Sequence, residues 1–138
     1  MDYALPPLTF GYMVLAVVDL AAMTEWYCKV LGFTVERTGE QAESGASYAV
    51  LAAHGMRLEL CSSTAAQTRL EPSLPPPDHL QRSGWSVLTL HCADLSGLGN
   101  WLHIHQADVI WSERSLAPKI VSTLLRDPEG NLISIFGQ

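Results

Sequence analysis

The spacing of hydrophobic positions changes several times along the chain, and each change marks an element. Residues 12–18 form a continuous apolar run of strand length, as expected of a strand covered on both faces. Asp19 follows, a side chain able to accept the free N–H groups of a first helical turn. Leu20, Met23, Tyr27, Val30 and Leu31 then recur at helical spacing, and Gly32 stops the helix. Residues 33–40 alternate roughly apolar and polar, the pattern of a half-buried strand, and the small polar stretch 41–46 is a loop. Two more strands, 47–53 and 56–61, flank a His54-Gly55 turn. The first half therefore reads β-α-β-β-β.

Residues 62–83 break the pattern, with Pro75, Pro76 and Pro77 at their centre. Successive prolines stiffen a chain and cannot donate to a sheet, so this stretch reads as a linker. A strand follows over 85–92, then Asp94 as a second cap. The next helix is carried by Leu95, Leu98 and Leu102 and weakened by Gly97 and Gly99. Residues 109–113 form a strand, a loop runs through Pro118, and a hairpin closes the chain. Its turn, Asp127-Pro128-Glu129-Gly130-Asn131, joins the apolar runs 121–125 and 132–136. The second half is again β-α-β-β-β.

An ungapped offset of 75 residues superimposes the halves, carrying Asp19 onto Asp94, Trp26 onto Trp101 and Gly55 onto Gly130. The strand 57–60 falls on 132–135 in the same register. Matches at a cap, a helix anchor and a turn glycine indicate an internal duplication of paired modules. The expected organisation is a first module over 1–63, a Pro-rich linker over 64–83 and a second module over 84–138, together one domain. Each module can cover one face of its sheet with its helix. The predicted fold class is α+β: two tandem β-α-β-β-β modules forming a cupped mixed sheet around a cavity, where ligands commonly bind.

Charge narrows the partners. The formal net charge is −6 and no cluster of Lys and Arg offsets it, which argues against nucleic acid and anionic membranes. No apolar run is long enough to span a bilayer. The N-terminal residues lack the pattern of a signal peptide. Cys28, Cys61 and Cys92 are odd in number and far apart, so neither a disulfide framework nor a zinc knuckle is suggested, and a reduced cytoplasmic setting is expected. No GxSxG elbow, HExxH pair or phosphate-cradling glycine loop is present.

The stretch VVDLAAMTEWYCKVLGF resembles the first-helix signature of the vicinal oxygen chelate superfamily, which includes glyoxalase I, extradiol dioxygenases and bleomycin resistance proteins. RDPEGNLISIF resembles that family's closing hairpin. The resemblance covers nearly the whole chain and specifies a fold, not a reaction, because the family holds both metalloenzymes and metal-free binders. It implies a homodimer, and metal ligands at four strand positions. Those positions are occupied here by Tyr12, Glu59, Val87 and Ser134. Only Glu59 is a competent ligand for a divalent ion, whereas a catalytic metal takes about three protein ligands.

The expected function is therefore metal-free binding of a small hydrophobic or aromatic molecule, without cofactor or catalytic residues. Sequestration of an antibiotic or toxic aromatic metabolite, as in bleomycin resistance proteins, is its leading form. The alternative is a lyase or dioxygenase of the same superfamily with a displaced metal site. The candidate ligand-binding residues are Tyr12, Glu59, His91 and Trp111. Tyr12 puts a phenol where the family has a metal ligand. Glu59 reads either as a carboxylate recognising a basic or hydroxyl group, or as half of an ion pair with Arg57 or Arg126. His91 shares strand parity with Val87 and can be a cavity-lining hydrogen-bond partner or a buried polar contact. Trp111 offers a flat platform for a planar guest, or else ordinary packing. Trp26 and Trp101 are expected as core anchors between helix and sheet, and His54 as an exposed turn residue.

Overall fold

The computed structural model describes residues 4–62, 74–81 and 84–138. Residues 63–73 and 82–83, most of the predicted linker, lie outside the described residues. The first module contains β1 (Met13–Ala16), α1 (Leu20–Leu31), β2 (Thr34–Glu40), β3 (Ser47–Ala53) and β4 (Met56–Ser62). A short 3-10 turn, Asp78–Leu80, lies in the described part of the linker. The second module contains β5 (Val87–Cys92), α2 (Leu95–Ile104), β6 (Asp108–Ala117), β7 (Ile120–Arg126) and β8 (Leu132–Gly137). The eight strands form two mixed four-stranded sheets, ordered β1-β4-β3-β2 and β5-β8-β7-β6. The fold is the α+β two-module arrangement that the pattern predicts.

Both helices begin where their aspartates allow. The Asp19 carboxylate accepts the Ala22 N–H at 3.0 Å, and Asp94 accepts the Gly97 N–H at 2.9 Å. Each removes one orphan donor from a first turn. At the far end of α1, Gly32 adopts φ 74°, and the Phe33 N–H returns to the Tyr27 carbonyl at 3.2 Å. A side chain would strain that left-handed corner, which explains the glycine.

The duplication holds in the strand pairing, with one correction. Val14 pairs with Glu59 in the first sheet and Thr89 with Ser134 in the second, both in parallel. These pairs keep the offset of 75 residues. In the antiparallel partners, Glu59 faces Val50 but Ser134 faces Leu124, an offset of 74. The same value relates Arg37 to Trp111 one strand further out. The ungapped alignment therefore fails at β2 and β3. The turn between β7 and β8 is one residue longer than strict repetition would give, and that residue absorbs the difference.

One apolar core unites the modules. It contains Met23, Tyr27, Val30 and Phe33 with Leu58 and Leu60 from the first, and Leu95, Leu102, Leu125, Ile133 and Ile135 from the second. Every strand residue in that set lies on the face its own helix covers. Alternation then places Glu59, Val50, Leu124 and Ser134 on the opposite, helix-free faces. Polar bonds reinforce the junction. The indole N–H of Trp101 donates to the Val30 carbonyl at 2.8 Å, so Trp101, 45% exposed, ties α2 to the end of α1 instead of anchoring its own sheet. Trp26 does pack against the core, edge-on to Tyr27.

Candidate functional site: the helix-free faces

The terminal turn does more than reverse the chain. Asp127, nearly fully buried, accepts the N–H groups of Glu129 and Asn131 at 2.9 Å each, the Asn131 side-chain amide, and the Tyr27 hydroxyl at 2.8 Å. Burial, and next the adjacent Asp127 carboxylate, push the Tyr27 phenol far above its ordinary range. Glu129 reaches the start of α1, accepting the Val18 N–H at 2.8 Å and the Asp19 N–H at 2.9 Å. The other turn serves the opposite end of the same helix. The His54 ring donates to the Leu31 carbonyl at 2.5 Å and meets Phe33 edge-on, so this residue, exposed in its turn as expected, also caps a helix end. These contacts are structural and leave the helix-free faces to be considered as binding surfaces.

On the first sheet, Glu59 is 6% exposed, flanked by Val14 of β1 and Val50 of β3. It has no hydrogen-bond or ionic partner among the described residues. Arg57, a predicted partner, instead grips Glu36 with bonds of 2.7 and 3.1 Å. That pairing, with Arg37 nearby, holds the Glu36 carboxyl below its ordinary range. Arg126 belongs to the second sheet, paired across strands with Asp108 and Leu132. Tyr12 lies one residue before β1, in step with Val14, and both are exposed.

On the second sheet, Trp111 aligns with Leu124 and donates its indole N–H to Ser122 at 3.0 Å. A bulge follows, with Glu113 at φ 49° and its N–H held by Thr123. The bulge keeps Arg114 on the same face as Trp111, with its guanidinium carbon 4.7 Å from the ring centroid. His91 pairs with Phe136, their rings 6.2 Å apart. The structure thus groups Tyr12 with Glu59 on one sheet and His91 with Trp111 on the other. Among the described residues, no strand of one sheet hydrogen-bonds to a strand of the other.

Cavities occur elsewhere too. His91 lines a space of about 400 Å³ where the modules meet, with His54, Leu98 and Trp101. A wider groove of about 1060 Å³ runs between α1 and strands β2 and β3, past Thr24, Cys28 and Tyr48. None of the four candidates lines that groove, and no hydrophobic periodicity in the sequence signals it.

The inherited metal positions do not fit a metal. Val87 offers no donor, Ser134 is a buried hydroxyl, and Tyr12 is a phenol. Among the described residues no three His, Cys, Asp or Glu side chains converge. A lone carboxylate lacks the roughly three protein ligands a catalytic ion requires.

Comparison with known proteins agrees with this architecture. The sequence profile of the Glyoxalase/Bleomycin resistance protein/Dioxygenase superfamily matches residues 9–135. The chain belongs to that superfamily. Among solved structures, a glyoxalase/bleomycin resistance protein/dioxygenase domain from Frankia sp. EAN1pec superimposes with a TM-score of 0.75 at 19% identity, covering 96% of this chain and 94% of that one. A glyoxalase I mutant from Zea mays gives 0.70 at 14% identity, over 91% of this chain and 43% of that one. TioX from Micromonospora sp. ML1 gives 0.63 at 18%, over 93% and 98%. Likeness at these identities concerns the fold alone. No curated protein matches the chain.

Proposed function

We propose that this chain is a metal-free binding protein for a small hydrophobic or aromatic molecule, with sequestration of an antibiotic or toxic metabolite as its role. The observation that carries the reading is the donor set Tyr12, Glu59, Val87 and Ser134, a single carboxylate where the fold can hold a metal. The indole of Trp111, fixed by Ser122 and Arg114, supports an aromatic guest. The ligand-binding residues are Tyr12, Glu59, His91 and Trp111.

The proposed assembly is a homodimer. Trp85, Val14, Tyr12 and Val87 are 91%, 55%, 44% and 37% exposed. Apolar side chains so exposed beside a candidate binding face favour cover by another surface, and a second copy supplies it. The setting is proposed to be cytoplasmic, consistent with three free thiols. No helix among the described residues is long and apolar enough to cross a membrane.

Elemental analysis of purified protein, combined with a thermal-shift screen of aromatic compounds, tests the reading. Negligible metal content with a compound-dependent rise in melting temperature is the expected result. Near-stoichiometric zinc, nickel or iron would replace it with the metal-dependent lyase or dioxygenase. Light scattering of the eluted peak should return twice the mass of 15.1 kDa.

A further inference from the structure

We propose that the groove between α1 and strands β2 and β3 is a second ligand site, for a small molecule joining an apolar body to a protonated amine. One stripe of α1 forms its first wall, where Ala21, Thr24, Glu25 and Cys28 recur at helical spacing. The facing wall is the row Val35, Thr38 and Glu40 of β2, which pair with Leu51, Ala49 and Ser47. Leu51 and Ala49 belong to the core, so the groove opens on the helix-covered side of the sheet, not on the face that carries Tyr12 and Glu59. Its volume of about 1060 Å³ suits a drug-sized molecule.

The second module shows that the fold does not require this gap. At the offset of 75 residues the counterpart of Thr24 is Gly99, where an added Cβ would already meet the Ser112 hydroxyl of β6 at 3.5 Å. At the strand offset of 74 the counterpart of Val35 is Val109, which packs against the core, whereas Val35 is 46% exposed. Helix α2 thus closes onto its outer strand and α1 leaves a space. The lining of that space defines its guest. Val35 and Ala49 supply apolar surface. The Thr24 hydroxyl, buried at the α1 wall, has no hydrogen-bond partner. Native chains seldom leave such a group unsatisfied, and a polar N–H of a guest would supply the bond. The charged residues among the described lining are Glu25 and Glu40, with no Lys, Arg or His. Neither has an ion-pair partner among the described residues, where Arg57 is given to Glu36. Two carboxylates without a cation favour a positive guest, and the net charge of −6 acts in the same direction. Both are exposed, so the preference is modest and weakens with salt.

The free thiol of Cys28 lies in the groove and reports occupancy there. Alkylation of the full chain by a maleimide would be followed by mass spectrometry, with 1-pyrenylmethylamine, cationic at neutral pH, or the neutral 1-pyrenylmethanol added. The amine should slow modification of Cys28 and leave Cys92, in the second module, unchanged. It should reach half-protection at a concentration about threefold below that of the alcohol. The double variant Glu25→Gln, Glu40→Gln changes exposed side chains and should close that gap, as should high salt. Protection should persist in Trp111→Ala, which removes the aromatic platform of the other face. A Cys28 rate unaffected by saturating amine would overturn the site. Amine binding that disappears in Trp111→Ala without ever shielding Cys28 would do the same while supporting the binding reading above. Equal half-protection by the two probes in wild type would overturn the cationic class.

Discussion

The two modules share a skeleton and differ in what they do with their turns. In the first, a two-residue corner at His54 and Gly55 bends back on its own helix and caps the Leu31 carbonyl. In the second, the longer corner from Asp127 to Asn131 reaches across the junction and holds the start of α1 through Glu129. Helix α1 is thus fastened at both ends by turns, whereas α2 relies on Asp94, on the Leu95 N–H bond to the Gln138 carbonyl and on the Trp101 bond to Val30. Duplication has kept strands and caps, while the polar bonds between the copies come from Asp127 and Glu129, which do not repeat, and from Trp101, whose counterpart Trp26 packs on the core instead. The faces diverge in the same way, with a carboxylate that has no partner among the described residues on one sheet and a tethered indole on the other.

Removing the element without a counterpart should hurt most. Asp127→Ala would leave two backbone N–H groups and the Tyr27 hydroxyl without their acceptor, costing roughly 3 kcal/mol by urea denaturation. A cost similar to that of an exposed substitution would break the claim that this turn joins the modules. Glu129→Ala should cost about 1 kcal/mol as the loss of a helix cap. Hydrogen exchange at Val18 and Asp19 should quicken while the amide of Gly97, capped separately by Asp94, stays protected. Trp101→Phe, which deletes the tie from the other helix, should cost about 1 kcal/mol. Gly99→Ala should move stability the other way by about 0.5–1 kcal/mol, since α2 gains helix propensity. An added methyl there meets only the Ser112 hydroxyl at 3.5 Å.

Alkaline titration sharpens the same contrast. The Tyr27 phenol is held above its ordinary value of 10.0 by burial and by Asp127, so the unfolded chain ionises first. Its stabilising contribution is complete below that value and falls away as the pH rises beyond it. Tyr27→Phe should flatten the decline in stability above about pH 10. Burial raises the Cys28 thiol in the same direction, so Cys28→Ala in the Phe background should remove part of any slope that persists.

Much of this fold was legible because its signals are local. Asp19 and Asp94 cap helices where hydrophobic spacing begins, Gly32 ends one, and the two hairpin turns fall where proline, glycine and asparagine require. The resemblance already singled out Glu59 as one of four ligand positions on the strands, and the structure places it on the helix-free side. Its lack of a partner was not legible, because the choice of Glu36 by Arg57 depends on how β2 and β3 register. The cross-module cap by Glu129 joins residues about 110 positions apart, a separation over which local pattern carries no information. Strand β6 was read as far as Glu113 but continues to Ala117 through a bulge, since bulged residues break the alternation by which strands are recognised.

The one-residue disparity between the repeats has a practical side. A chimera that copies strands from one half into the other at a single constant spacing would set β6 and β7 one position out of step. In a pleated strand that displacement exchanges inside for outside, sending Trp111 and Leu124 toward the helix and Leu125 into the open. Symmetrised versions of this chain need a deletion at the final corner before any graft, and splicing there also discards the fastening that Glu129 provides.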